Sequence, residues 1–72
     1  MATTKKAKAP DVLVRNEGTV FVFCPLTPAA RAWFDENVQS EPWQWMGASL
    51  VVEHRFAWGL GQGLKDAGFA LE

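Results

Sequence analysis

Thr19-Val20-Phe21-Val22-Phe23-Cys24-Pro25-Leu26-Thr27-Pro28-Ala29-Ala30-Arg31-Ala32-Trp33-Phe34 is the stretch on which the fold turns, because the apolar spacing changes within it. Its first half is rich in β-branched and aromatic residues, which suit a pleated strand. Val20, Val22 and Cys24 point to one side and Phe21 and Phe23 to the other, since side chains alternate across a strand. Both faces are apolar, so the strand is either covered on both sides or offers one face to another subunit. Thr27-Pro28 then starts a helix: Thr can accept from a free amide of the first turn, and Pro suits the first helical position. Ala30, Trp33, Phe34 and Val38 follow at spacings of three and four and make one core-facing stripe, with Arg31 and Asp35 placed to pair on the outside. Pro42 prevents the helix from continuing past Glu41.

Upstream, Val12-Leu13-Val14 precedes Arg15-Asn16-Glu17-Gly18. Two strand-like runs around a short Asn-Glu-Gly loop predict a hairpin, with Gly18 free to take a left-handed conformation. Downstream, Leu50-Val51-Val52-Glu53 predicts a further strand, and Trp43-Gln44-Trp45-Met46 a weaker one. From Arg55 to Ala67 the pattern is helical, with Phe56, Ala57, Leu60, Leu64 and Ala67 on one side. Gly59, Gly61 and Gly63 each cost such a helix on the order of 1 kcal/mol relative to Ala. Close packing against a neighbour at Gly59 and Gly63 would account for two of them. Gly68 suits the C-terminal cap, and Phe69-Ala70-Leu71 reads as a last short strand. The expected fold is α+β: a small two-layer sandwich in the order ββαβαβ, with two helices on one face of a mostly antiparallel sheet.

With 72 residues there is room for one domain, which buries roughly 60% of the surface of its unfolded chain. Five Phe and four Trp supply a core without disulfides or metal. Residues 1–10 hold Lys5, Lys6 and Lys8 but no large apolar side chain beyond Met1, so they read as a flexible basic arm before a domain at 11–72. The net charge of −1 is therefore uneven: without those three lysines the body has four basic residues against eight acids, or −4. Such a body is a poor surface for duplex nucleic acid, where affinity comes from neutralised phosphates. Apolar runs such as Val20 to Cys24 fall far short of the roughly 20 residues that span a bilayer. The lone Cys24 and the lack of a secretion signal make the cytoplasm the expected location.

The candidate binding residues are Trp58, Arg55, Trp43, Trp45 and His54. At 100° per residue Trp58 falls opposite Phe56 and Leu60, among Arg55, Gln62 and Lys65. It is either a contact residue, a role in which Trp is enriched, or it lies beneath the N-terminal arm. Trp43 and Trp45 share a face if 41–46 is extended; they then either stack on a ligand ring or close the core. Glu53-His54-Arg55 sits where a strand hands over to a helix. An acid and a base are present there, but adjacent strand residues point to opposite faces, so a structural role such as capping or pairing with Arg55 is the plainer reading. Cys24 would need His54 beside it to act as a nucleophile. One Cys and one His cannot make a structural zinc site, and Gly59-Leu60-Gly61-Gln62-Gly63 lacks the Lys-Ser/Thr of a phosphate loop. No catalytic residue, cofactor or metal is expected.

The segments Leu26-Thr27-Pro28-Ala29-Ala30-Arg31-Ala32-Trp33, Gln44-Trp45-Met46-Gly47 and Leu50-Val51-Val52-Glu53-His54-Arg55-Phe56 resemble those of short bacterial and phage-borne proteins to which no activity attaches. The likeness spans about residues 18–71, and its motifs are mostly hydrophobic. It implies a shared fold and no particular chemistry.

These readings lead to a non-catalytic protein-interaction module, with a homodimer through the sheet as one expected partner arrangement. The alternatives are weak single-stranded nucleic-acid binding through the Lys arm and the paired Trp43 and Trp45, and a small-molecule enzyme built on His54, Glu53 and Cys24.

Overall fold

The computed structural model describes residues 9–72, so the arm assigned to 1–10 lies outside the described residues except for Ala9 and Pro10. The elements in chain order are β1 (Val12–Asn16), β2 (Val20–Pro25), α1 (Pro28–Asn37), a 3-10 turn (Pro42–Gln44), β3 (Trp45–Met46), β4 (Ser49–Glu53) and α2 (His54–Asp66). The sheet has the order β1-β2-β4-β3 with every neighbouring pair antiparallel. The expected last strand is a parallel bridge between Leu71 and Val12 at the outer side of β1. Ala70 ties it there twice, receiving the Asp11 amide on its carbonyl oxygen and donating its own N–H to the Asp11 carboxylate, both at 2.8 Å.

The register decides which side of each strand is covered. Phe23 lies opposite Val14 on β1 and Leu50 on β4, and Phe21 lies opposite Val52. That face holds the core, in which Val12, Phe23, Leu50 and Val52 are buried together with Ala30 and Phe34 of α1 and Ala57 and Leu64 of α2. Both helices therefore lie on the Phe21–Phe23 side. Burial of each large apolar side chain there contributes about 1.5–3 kcal/mol. Aromatic rings meet edge to face within it: Phe34 contacts Trp33 at 5.9 Å and Trp45 at 6.1 Å between centroids.

No helix among the described residues lies over the opposite face. In rows across the strands it carries Leu13 and Cys24, then Arg15, Val22 and Val51, then Val20 and Glu53. Met46, opposite Ser49 on β3, completes the first row and is exposed.

The helix ends follow their capping residues. Thr27 Oγ1 accepts from the Ala30 amide at 3.1 Å, and Pro28 opens α1. Arg31 and Asp35 pair at 3.3 Å as their spacing predicts. At the end of α2, Gly68 has a φ of +94°. Its amide bonds Lys65 O at 2.9 Å, while the Phe69 amide bonds Leu64 O at 3.0 Å, which is the Schellman closure. Gly18 closes the β1–β2 hairpin at a φ of +93°.

The α2 stripe differs from the periodicity at its two ends: Phe56 is 56% exposed, and Ala67 is exposed. Phe56 lines an opening at the edge of the sheet instead of packing in the core cluster, and Ala67 is already the C-cap. Close packing occurs at Gly63, where a Cβ would sit 3.4 Å from the Trp33 ring, but not at Gly59, where no atom comes within 4 Å. The same substitution is expected to have opposite signs within α2 and just past its C-cap. Gly59→Ala is expected to raise the unfolding free energy by about 1 kcal/mol through helix propensity. Gly68→Ala is expected to lower it by about 1–2 kcal/mol through left-handed strain. Denaturant midpoints of the two variants check this, and equal signs would contradict it.

Candidate functional site

Helix α2 is flanked by two openings. The larger, about 860 Å³, lies at the free edge of β4 and is lined by Trp33, Val38, Trp43, Leu50, Val52, Phe56 and Leu60 among others. Its geometry follows from a mismatch of strand lengths. The two-residue β3 pairs only with Leu50 and Ser49, so Val51, Val52 and Glu53 have β2 on one side and, among the described residues, no strand on the other. The Val51 carbonyl accepts from the Gln44 side-chain amide at 3.4 Å. An exposed indole and an exposed phenyl ring stand at this opening: Trp43 is 78% and Phe56 56% exposed, and the Arg55 guanidinium lies 5.0 Å from the Phe56 ring centre.

The smaller opening, about 270 Å³, lies on the other flank of α2, with Val14, Phe21 and Leu71 below and His54, Trp58 and Lys65 at its rim. Trp58 is 79% exposed, as its position on the polar side of α2 predicts. The His54 ring packs on Phe21 with centroids 5.0 Å apart.

Trp43 and Trp45 do not form one platform. Residues 42–44 make a 3-10 turn instead of an extended strand, and the turn rotates the two indoles apart. Trp45 packs against Phe34, donates from Nε1 to Ser40 Oγ at 3.0 Å, and lies 4.1 Å beneath the Arg31 guanidinium. It is thus a half-buried core residue, while Trp43 faces outward. Pro42 carried the signal for this difference, since it favours the first position of a helical turn as well as ending the helix before it.

Glu53 and Arg55 come together, as the structural reading expects, while His54 turns away from them. Glu53 precedes the first residue of α2 without a side-chain capping bond and instead pairs with Arg55 at 3.3 Å. His54 packs on Phe21, on the helix-covered side, whereas Cys24 belongs to the open face. The sheet lies between the thiol and the imidazole, so they do not meet. Phe56 is the residue that periodicity missed: the helical pattern places it in the core, and only the free edge of β4 leaves it exposed.

No protein-family model, curated protein or solved structure matches this chain. No helix among the described residues is long and apolar enough to cross a membrane.

Proposed function

We propose that this protein is a non-catalytic protein-interaction module that takes an extended segment of its partner along the free edge of β4. The observation that carries the reading is the run Val51–Glu53, whose outer side has no strand among the described residues, beside an apolar cleft with Trp43 and Phe56 exposed at its mouth. Strand addition derives affinity from main-chain hydrogen bonds and specificity from pockets that receive alternate side chains. Val51–Glu53 supplies the edge, and the cleft over Leu50 and Val52 supplies a pocket for one bulky apolar side chain. Its volume falls within the roughly 300–1,000 Å³ of typical ligand sites.

Selection of a random peptide library on the immobilised protein tests this. Enriched peptides are expected to carry one large apolar residue in an extended context. Trp43→Ala or Phe56→Ala is expected to weaken their binding by about 30-fold, the usual scale for removing an aromatic anchor. No enrichment, or enrichment indifferent to both substitutions, would overturn the reading. A loss on Trp58→Ala alone would move the site to the other flank of α2.

The open sheet face supports a second contact, with another copy of the chain. Leu13, Val20, Val22, Cys24, Val51 and Met46 lie on one uncovered surface, and sheets stack face to face at about 10 Å. A two-fold axis along the strands sets β2 of each copy over β4 of the other, so that Val22 faces Val51. It also carries Arg15, on outer β1, towards Glu53 of the second copy. Each of these charges already has a neighbour of opposite sign, Glu17 and Arg55 respectively, at 3.3 Å. Arg15 and Glu53 thus enter such a contact already paired within their own chain. The peptide edge and this face use different surfaces and can be occupied together.

A further inference from the structure

The β4-edge cleft does not end at its apolar walls. Val38, Gln39 and Gln44 line both the cleft and an adjoining polar shelf, which continues over Asp35, Ser40 and Glu41. Three acids border the combined groove: Asp35 and Glu41 on the shelf, and Glu53 beside the unpaired run of β4. Among the described residues no Lys or Arg lines either part, and Arg55 reaches the mouth only over the Phe56 ring. Asp35 and Glu53 have arginine neighbours at 3.3 Å, whereas Glu41 makes no ion pair among the described residues. A body with four basic residues against eight acids deepens the negative potential at the groove, and a cleft with low-dielectric walls focuses it.

We infer that the partner segment is an extended peptide in which one bulky apolar residue is flanked by Lys or Arg. The apolar side chain enters between Trp43 and Phe56 over Val52. The basic residues lie along the shelf at Asp35 and Glu41 and, at the other end, near Glu53. Exposed charge pairs contribute little to affinity singly, but they discriminate strongly against like charge and are weakened by salt. The inference rests on the cleft reading above and adds its charge selectivity.

The test uses the full chain and three fluorescent peptides of equal length, each with a central Phe, flanked by Lys, by Ser or by Glu. Anisotropy titration at low and high salt is expected to show the Lys-flanked peptide binding at least about tenfold tighter than the Glu-flanked one, with the gap narrowing as salt screens it. The double variant Asp35→Asn, Glu41→Gln is expected to narrow the same gap while the Ser-flanked peptide binds as before. Trp43→Ala is expected to weaken all three. Equal binding of the Lys- and Glu-flanked peptides, lost on Trp43→Ala, would overturn the charge selectivity and leave the cleft reading intact. If none of the three binds, the cleft reading itself fails.

Discussion

Replacing Phe34 by Ala is expected to cost about 3–5 kcal/mol, the range for removing a buried phenyl ring and leaving a cavity. Phe34 is 1% exposed and joins the layers: its ring meets Phe23 of the sheet, Trp33 of its own helix and Trp45 of β3. Folded proteins are stable by about 0.05–0.15 kcal/mol per residue, which for 72 residues is roughly 4–11 kcal/mol. One ring is thus a large share of the total. A urea titration by circular dichroism is expected to move the midpoint by about 2–5 M, given a slope of about 1–1.5 kcal/mol per molar for a chain this short. Phe56→Ala removes the same atoms from an exposed site and is expected to change stability by no more than about 0.5 kcal/mol. Similar losses at the two positions would contradict the assignment of Phe34 to the core and Phe56 to the cleft mouth.

The proposed self-association through the open sheet face carries the second large expected effect. Sedimentation equilibrium of the 8.0 kDa chain is expected to report a dimer at micromolar concentration, and Val22→Lys is expected to raise the dissociation constant at least about 100-fold. In the proposed dimer the two-fold would place two such lysines in one interface, each against Val51 of the other copy, and a buried charge without a partner costs several kcal/mol. The variant keeps its fold, because Val22 lies outside the core cluster and a lysine can extend its ammonium to water in the monomer. A thiol-reactive cross-linker provides an independent readout, since Cys24 lies on the same face and approaches its counterpart across the axis. A wild-type chain that stays monomeric at high micromolar concentration would remove the dimer.

Much of the local structure is legible in the residues. Thr27-Pro28 marks the start of α1, Gly68 marks the end of α2, and Gly18 marks the hairpin, because each meets a stereochemical demand that few residue types satisfy. The switch from alternation at Val20–Cys24 to threes and fours at Ala30–Phe34 announces a strand followed by a helix. The exposure of Trp58 also follows from angle alone, since its neighbours on that side of the helix are polar.

Tertiary structure decided the rest, because it depends on which elements pair and where they stop. Alternation in β2 places Phe21 and Phe23 opposite Val20, Val22 and Cys24. Only the packing of α1 and α2 chose the phenylalanine side as the core and left the valine side open. Helical periodicity gives Phe56 and Leu60 the same status, yet Leu60 packs against the core while Phe56 does not. The difference lies in where α2 begins relative to the edge of β4. The cleft itself is a product of length: β3 ends two residues along β4, so Val51–Glu53 has no neighbour on that side, and an absent strand pairing leaves no mark on the sequence of the strand that lacks it.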